Sequence, residues 1–298
     1  MGDQVRINKL LIIGLGLIGG SLARAAKQRG FAAHVCAYGH RDVSLKKGLK
    51  SGVIDSYSLN LVEALVGVDV VLIATPTLIA NQMLEDILPL VDDSVVITDA
   101  ASVKGSFVEK ARALGGGKMP GNVVPGHPIA GSEQSGVDAS DADLYVDHKV
   151  ILTPEPETNA VAVELITAMW RATGAEVVSM GVQEHDAILS ATSHLPHMLA
   201  YALVDALAGR ETSADIFKFA AGGFRDFTRI ASSDPIMWRD IALANRHEIL
   251  HSIDQFSEYL ALLRDAIDRA DKELIEEIFT RAKHSRDMFS AELAKRKS

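Results

Sequence analysis

The feature that most constrains the fold is a glycine-rich turn near the N-terminus, placed between a short apolar run and a helical pattern. The run KLLII (9–13) leads directly into GLGLIG (14–19). The first glycine permits a tight turn, the second lets a pyrophosphate approach the backbone, and the third lets the helix pack against the strand. In this setting the motif predicts dinucleotide binding rather than a turn that binds nothing. The predicted cofactor contacts are Gly14, Gly16, Leu17, Ile18 and Gly19.

The first 180 residues alternate between β-branched runs and helical patterns. Several runs, such as VVLIA (70–74) and SVVIT (94–98), are apolar throughout, which is typical of strands covered by helices on both faces. The alternation predicts an α/β fold with a Rossmann-type, doubly wound, mostly parallel sheet. The candidate strands are Lys9–Ile13, His34–Tyr38, Asp69–Ala74, Ser94–Asp99, Val123–Pro125, Lys149–Leu152 and Glu176–Met180.

Beyond Gly181 the strand signals vanish and helical periodicity dominates. We therefore predict a dinucleotide-binding domain at 1–180 and an all-helical domain at 181–298. Asp234 and Pro235 are typical of a helix start, as cap and first helical residue. Apolar residues then recur in steps of three or four, as on one face of a long helix. These apolar stripes are too many for one thin layer, so we expect the helical domain to form a homodimer.

Charge and composition exclude several classes of protein. The net charge is −9 and only 5% of residues are aromatic, which argues against a nucleic-acid surface. The N-terminal stretch is similar to a signal peptide, but glycines interrupt it, and no run reaches the ~20 apolar residues of a membrane span. The single cysteine, Cys36, excludes an internal disulfide and fits a reducing compartment. We expect a cytoplasmic protein with no nucleic-acid or membrane partner.

The residues after the second strand bear on which dinucleotide binds. NAD sites usually place an acidic side chain there for the ribose hydroxyls, whereas this chain reads YGHRD (38–42). Arg41 stands near the acidic position, and a guanidinium suits a 2′-phosphate. In the opposite interpretation Arg41 is solvated and Asp42 binds the ribose. The predicted cofactor is NADP or NAD, with NADP favoured.

Other polar residues follow later strands, at the carboxyl edge where this fold binds ligands. Thr75 and Pro76 end the run VVLIA, either as cofactor contacts or as an ordinary proline stop. Ser102 follows the next strand, where it can cap a helix or face the nicotinamide. His127, between a glycine and a proline, is expected on a short loop, as a structural hydrogen-bonding residue or as a base. A neutral imidazole there can take a proton from a hydroxyl as hydride leaves the same carbon.

The helical part contributes histidines and arginines. In SHLPH (193–197) the spacing puts His194 and His197 on one helix face. A metal pair there lacks a convincing ligand set, so we predict no metal; core histidines bonded to the backbone are the other alternative. In GGFRDFTR (222–229) Arg225 and Arg229 follow a glycine turn among aromatic residues, which suits a carboxylate clamp.

Together these stretches resemble the prephenate/arogenate (cyclohexadienyl) dehydrogenase family. The matching pieces are GLGLIGGS (14–21), ATP (74–76), SVKG (102–105), GHPIAGSE (126–133), SHLPH (193–197) and GGFRDFTRIASSDPIMWRD (222–240). They span nearly the whole chain in the family's order. The resemblance implies a Rossmann-type domain followed by a helical dimerisation domain.

The resemblance also implies the reaction, an NAD(P)-dependent oxidative decarboxylation of prephenate, arogenate or both on the route to tyrosine. It implies that His127 is the base for the ring hydroxyl, that Ser102 orients this hydroxyl, and that Arg229 binds a carboxylate of the dicarboxylate substrate. It implies that His194 positions the substrate and that His197 contacts the substrate's side chain. The further substrate-binding residues that it implies are Ser132, Glu133 and Asp226, the last two in an ionic network at the pocket entrance.

Two alternatives stay open at this point. A dehydrogenase of the β-hydroxyacid type also joins a Rossmann half to a helical half, but such enzymes typically use a lysine of the helical half. No lysine lies between Lys149 and Lys218, where that helix would begin. A catalytically silent nucleotide sensor would keep the fold without the chemistry. The joint presence of four candidate site residues argues against it, namely Ser102, His127, His194 and Arg229.

Overall fold

A computed structural model describes residues 6–131, 134–210 and 213–295 of the chain. By its contacts the chain divides into two compact units, Met1–Ile249 and Leu250–Ser298. None of the helices described has both the length and the apolar character that spanning a membrane requires. The domain boundary predicted near Gly181 remains a prediction. The last strand ends at Ser179, close to that boundary, but the compact units divide after Ile249.

Six parallel strands form the main sheet of the first unit. The strands are β1 (Ile7–Ile13), β2 (Ala32–Tyr38), β3 (Ser56–Ser58), β4 (Val70–Ile73), β5 (Val96–Asp99) and β6 (Val123–Val124). Their order is β3-β2-β1-β4-β5-β6, the order of a dinucleotide-binding sheet. The connecting helices are α1 (Leu17–Arg29), α2 (Asp42–Lys50), α3 (Leu61–Leu65), α4 (Thr77–Ile87) and α5 (Gly105–Leu114). The predicted Rossmann-type fold is confirmed.

The core lies on both faces of this sheet because its central strands are apolar throughout. Leu10 and Ile12 of β1 belong to one buried cluster, whereas Leu11 and Ile13 belong to another. Successive side chains of a strand point to opposite faces, so each face receives its own apolar layer. These two layers hold the carboxyl ends of the strands in place at one edge.

A second sheet, of three strands, departs from the sequence prediction. It contains β7 (Gly126–Ile129), β8 (Lys149–Leu152) and β9 (Glu176–Ser179), and α6 (Ala160–Ala172) connects the last two. Strand β7 is antiparallel to β8, and β8 is parallel to β9. The expectation of a short loop around His127 was therefore wrong. Pro128 hides the strand from pattern reading, and it is tolerated because β7 is an edge strand.

After β9 every element described is helical, as predicted. The helices are α7 (Val182–Leu189), α8 (Leu195–Ala208), α9 (Ser213–Lys218), α10 (Gly222–Thr228), α11 (Pro235–Ala244), α12 (Arg246–Asp268) and α13 (Lys272–Lys295). A five-residue π turn, Ser190–His194, joins α7 to α8. The predicted start of α11 is confirmed, since the Asp234 carboxylate accepts from the N–H groups of Ile236 (2.8 Å) and Met237 (2.9 Å).

The second unit consists of the larger part of α12 and of α13. Between the two helices Ala270 has a φ of +50°, and the Asp271 carboxylate accepts from the N–H of Leu274 at 3.1 Å. Several large apolar side chains of this unit are exposed, which is more than a solvated helix pair needs. They include Phe256, Tyr259, Leu260, Ile267, Phe279 and Phe289.

Candidate active site

The glycine turn between β1 and α1 leaves room for a pyrophosphate. Gly14 has a φ of +95°, and a Cβ there would lie 2.5 Å from the carbonyl oxygen of Ala74. A Cβ on Gly19 would lie 2.7 Å from Cγ2 of Ile12, whereas a Cβ on Gly16 would meet nothing within 4 Å. Two of the glycines thus permit close packing, and Gly16 keeps the space before the helix open. The N–H groups of the first helical turn have no partner inside the helix and face that space.

The other residues predicted to contact the cofactor lie around this turn. Leu17 and Ile18 form the first turn of α1, and Thr75 and Pro76 connect β4 to α4. The Thr75 hydroxyl is buried, and no residue that the structure describes bonds to it. A buried hydroxyl beside Gly14 that lacks a partner leaves one hydrogen bond for a bound molecule. These residues fit a dinucleotide.

Arg41 and Asp42, the two candidates for recognising the ribose, differ in whether they already have partners within the protein. The Asp42 carboxylate accepts from the Tyr57 hydroxyl (2.9 Å) and pairs with the Lys46 ammonium (2.6 Å). These hydrogen bonds, that of Lys46 first, hold the pKa of Asp42 below its usual value. Arg41 is exposed, and its guanidinium makes no hydrogen bond or ion pair with the residues that the structure describes. Asp42 is therefore engaged within the protein while Arg41 stays available.

His127 lies on β7 as part of a buried chain of hydrogen bonds. Its Nδ1 is 2.9 Å from Nε2 of His185, whose Nδ1 is 2.7 Å from Oδ1 of Asp186. A carboxylate only accepts, so His185 carries its proton on Nδ1, and in the neutral ring Nε2 accepts from the Nδ1–H of His127. His127 consequently presents an unprotonated Nε2 as an acceptor. We call His127, His185, Asp186 and His194 the histidine cluster.

Asp186 also caps α5, a role for which Ser102 was one candidate in the sequence. Its carboxylate accepts from the N–H groups of Lys104 (2.9 Å) and Gly105 (2.7 Å) at the start of α5. Burial raises the pKa of Asp186, but the hydrogen bonds from His185 and from these N–H groups hold it below its usual value. The helix-cap interpretation of Ser102 is wrong. Ser102 is half-buried in the segment between β5 and α5, and no described residue bonds to its hydroxyl.

A fully buried ion pair clamps the backbone next to His127. The Asp99 carboxylate pairs with the Lys104 ammonium, and neither side chain is exposed. The two groups hold the peptide of Gly126 from both sides, since Asp99 accepts from its N–H (3.0 Å) and Lys104 donates to its carbonyl (2.6 Å). Burial, and then the neighbouring His185, Lys104 and His194, lower the pKa of His127 well below its usual value. His127 is therefore a neutral base.

The two histidines of the helical part, predicted to share one helix face, both contact the ring of Trp238. His197 stacks on Trp238 with 3.6 Å between ring centroids, and His194 meets the same ring edge-on at 6.1 Å. His197 donates from Nδ1 to the carbonyl of Ser193 at 2.8 Å. Trp238 also packs against Val103, next to Ser102. This contact brings the end of β5 and the SHLPH segment to one place.

The remaining predicted residues differ in what the structure shows. Arg229 opens the turn after α10 and is exposed; α10 and this turn both pack against α8, which carries His197. The ionic contact of Asp226 joins it to Arg225 at 3.4 Å, and both side chains are exposed. Ser132 and Glu133 lie outside the described residues.

Several site residues were not predicted from the sequence. The dipeptide His185-Asp186 stands just after the predicted domain boundary, where two adjacent polar residues in a helix were a usable signal. Lys104 lies within the SVKG piece but had no assigned part. Asp99 is the last residue of an otherwise apolar strand, and no pattern around it marked it for the site. Asn245 also contacts the cluster, through Nδ2 to the Asp186 carbonyl and Nδ1 of His194, and both of these partners are distant in the chain.

Comparison with known proteins identifies the family of the chain. The family model "Prephenate dehydrogenase, nucleotide-binding domain" matches residues 22–179, and "Prephenate dehydrogenase, dimerization domain" matches residues 182–281. A cyclohexadienyl dehydrogenase of Zymomonas mobilis is 35% identical over 280 residues, which cover 93% of this chain and 94% of that protein. A prephenate dehydrogenase of Bacillus subtilis is 37% identical over 282 residues, covering 93% of this chain and 75% of that protein.

A solved structure of a prephenate dehydrogenase is also similar to this chain. Prephenate dehydrogenase from A. aeolicus, crystallised with hydroxyphenyl propionate and NAD+, is 34% identical and superposes with a TM-score of 0.90. The match covers 96% of this chain and 100% of that one. These findings favour the predicted oxidoreductase over the two alternatives. The chain belongs to the prephenate dehydrogenase family, and it is an NAD(P)-dependent oxidoreductase of tyrosine biosynthesis that catalyses an oxidative decarboxylation.

Proposed function

We propose that the chain oxidises prephenate with NADP as the favoured cofactor, and that His127 is the catalytic base. The observation that carries the proposal is the hydrogen-bond chain from Asp186 through His185 to His127, which leaves Nε2 of His127 as an acceptor. The relatives from B. subtilis and A. aeolicus are named prephenate dehydrogenases, which supports prephenate as the first substrate to test. Arogenate is the second.

The reaction needs orientation, one base and a cationic anchor. A dinucleotide held by the glycine turn, Thr75 and Pro76 would supply the nicotinamide that takes up the hydride from the ring carbon bearing the hydroxyl. His127 takes the hydroxyl proton at Nε2 as the carbon–oxygen double bond forms. The bond between the ring and its carboxylate then breaks, CO₂ leaves, and the remaining electron pair makes the ring aromatic. His127 returns its proton to the ring oxygen, so that a phenol forms and the base is regenerated.

The other predicted residues bind and orient the substrate in this proposal. Ser102 orients the ring hydroxyl, and its unengaged hydroxyl at the end of β5 supports that assignment. Arg229 binds a carboxylate, for which a guanidinium fork is well suited. His194 positions the substrate, and His197 contacts its side chain. Asp226, together with Ser132 and Glu133, remains proposed for the pocket entrance.

The NADP preference rests on the loop after β2. Arg41 is exposed and available for a 2′-phosphate, whereas Asp42 is engaged with Tyr57 and Lys46. In an NAD-selective site a free carboxylate accepts from the ribose hydroxyls. An engaged carboxylate next to an available guanidinium supports NADP.

We also propose a homodimer formed through the helical part, in the cytoplasm. The match to a dimerisation domain and the exposed apolar side chains of the second unit, such as Phe256 and Phe279, support the dimer. The one cysteine, Cys36, is a buried free thiol, which fits a reducing compartment. Light scattering coupled to size-exclusion chromatography tests the dimer directly.

One assay grid tests the activity. Purified protein is incubated with prephenate or arogenate, each with NADP or NAD, and the absorbance of the reduced nicotinamide is followed. We expect turnover with prephenate, and a higher kcat/KM with NADP than with NAD. Turnover with arogenate alone overturns the substrate proposal, and a higher kcat/KM with NAD overturns the cofactor proposal.

A further inference from the structure

Two buried ring nitrogens in the helical part, on neighbouring side chains, lack a hydrogen-bond partner among the described residues. Nε2 of His194 and Nε1 of Trp238 are both buried, and neither has a hydrogen-bond partner among the described residues. His194 is only 1% exposed, and its ring meets that of Trp238 edge-on. Burying a polar group without a hydrogen bond costs free energy, so an unpaired pair at a substrate site points to a ligand that completes it.

Asn245, at the end of α11, decides which nitrogen of His194 carries the proton. Its Nδ2 lies 2.9 Å from the carbonyl oxygen of Asp186 and 3.1 Å from Nδ1 of His194. A carbonyl oxygen only accepts, so the amide must present its NH₂ group on this side; the flipped amide would set two oxygens against each other. The second hydrogen of that group then points to Nδ1 of His194. Nδ1 therefore accepts, and the proton of a neutral His194 is on Nε2.

The surroundings of His194 keep its ring neutral. Burial lowers the pKa of His194 to about 4, and the neighbouring His185 and His197 act in the same direction, while Asp186 opposes them. A neutral ring with its proton on Nε2 is a hydrogen-bond donor without a net charge. Such a donor orients an oxygen without the strong ground-state attraction of a cation.

We propose that Asn245 is a positioning residue that fixes His194 as a neutral Nε2–H donor, and that this donor binds a carboxylate oxygen of the substrate. The second half of the inference rests on the proposed function. Asp186 connects the two ends of the cluster, since its carboxylate sets His127 as an acceptor and its carbonyl anchors the amide that sets His194 as a donor. One residue thereby imposes opposite tautomers on two site histidines.

The tautomer is read by ¹⁵N NMR of histidine-labelled protein, in which protonated and bare ring nitrogens have separate chemical shifts. The His194 signals are identified by their loss in His194→Gln. We expect wild-type His194 at neutral pH to show a protonated Nε2 and a bare Nδ1. A proton on Nδ1 alone, or on both nitrogens, overturns the proposal. This spectrum needs no substrate, so it separates a failure of the inference from a failure of the proposed function.

Asn245→Asp tests the positioning role, because a carboxylate against Nδ1 can only accept. We expect the His194 proton to appear on Nδ1, the KM for prephenate to rise at least tenfold, and the KM for the nicotinamide cofactor to stay within twofold. The matched control is Asn122→Asp, since Asn122 is also buried and donates its amide to a carbonyl, that of Val95, at 2.9 Å. The control should leave the His194 spectrum and both KM values unchanged.

Two outcomes overturn the positioning role. One is an unchanged His194 spectrum in folded Asn245→Asp, and the other is an unchanged KM for prephenate. If Asn245→Asp does not fold, Asn245→Ser replaces it. A hydroxyl can still donate, so the serine variant should keep the proton on Nε2 and show the smaller rise in KM; a KM that stays at the wild-type value overturns the proposal.

Discussion

The histidine cluster and the cofactor edge, by which we mean the glycine turn 14–19 and the loop after β2, are built in opposite ways. In the cluster each side chain is buried and is held by at least one hydrogen bond, such as those from the Asp186 carboxylate to His185 and from the Asn245 amide to His194. At the cofactor edge Arg41 is exposed and a Cβ on Gly16 would meet nothing within 4 Å. Groups that move protons are thus held by neighbours, whereas groups that select a cofactor are left open.

The difference predicts how each region responds to substitution. A buried, hydrogen-bonded group leaves an unsatisfied partner when it is removed, so a change in the cluster damages stability and catalysis together. A change at the cofactor edge leaves no buried polar group without a hydrogen bond, so it should alter only the cofactor preference.

The largest expected effect is that of His127→Asn on turnover. Loss of the base should lower kcat by about 10²–10⁴-fold, because general-base catalysis contributes that much. The dissociation constant of the cofactor, measured by calorimetry, should stay near the wild-type value, since the glycine turn is untouched. His148→Asn is the control, because His148 is exposed and, among the described residues, its ring bonds only to the carbonyl of Val146. Near-normal turnover in His127→Asn would remove it from the mechanism.

Lys104→Met tests whether the buried ion pair holds the cluster. The substitution leaves the Asp99 carboxylate buried without its cation, and we expect a loss of about 3–5 kcal/mol in the free energy of unfolding. The double variant Lys104→Met with Asp99→Asn should recover part of that loss. The control is Lys110→Met, because the Lys110–Glu85 pair is exposed to solvent. Urea unfolding measures all three, and equal losses at Lys104 and Lys110 would contradict the assignment.

The cluster also predicts a dependence of stability on pH. Burial lowers the pKa of folded His194 to about 4, against about 6.5 in the unfolded chain, so between these values the unfolded state binds more protons. Stability is therefore full above the unfolded value and falls as the pH drops, by about 2 kcal/mol at pH 5 for His194. The lowered pKa of His127 adds to the fall in the same direction.

Urea unfolding at pH 7 and pH 5 measures this effect. His194→Gln cannot titrate at that position, so its stability should fall by about 2 kcal/mol less than that of the wild type over the same interval. An equal fall in both proteins would show that His194 binds its proton as readily when folded as when unfolded.

The contrast between the regions also explains what the sequence could predict. The cofactor edge rests on local patterns, namely apolar strands, the glycine turn and the residues directly after each strand. The cluster rests on pairs far apart in the chain, such as His127 with His185 and Asn245 with Asp186, separated by 58 and 59 residues. No local pattern encodes those pairings, so the sequence pointed to His127 and His194 but not to the residues that set their tautomers.

Strand β7 was missed for a related reason. The segment GHPI has neither alternation nor β-branched enrichment, and its proline opposes a strand in local terms. It becomes a strand because β8 offers a partner on one side and because the Gly126 peptide is clamped by Asp99 and Lys104. Tertiary contacts override the local preference there, next to the base.

The cofactor edge is tested by Arg41→Asp, the substitution with the smallest expected cost. A charge-assisted hydrogen bond to a phosphate contributes about 1.5–3 kcal/mol, so kcat/KM for NADP should fall by about 10–100-fold. The kcat/KM for NAD should hold or rise, because a carboxylate at this position can accept from the ribose hydroxyls. Lys50→Asp makes the same charge reversal at the exposed end of α2 and should leave the ratio of kcat/KM for the two cofactors unchanged.

The free energy of unfolding of Arg41→Asp should stay within about 0.5 kcal/mol of wild type, as for surface substitutions in general. A large loss of stability in Arg41→Asp would mean that this edge, like the cluster, is interlocked, and the contrast between the two regions would fail.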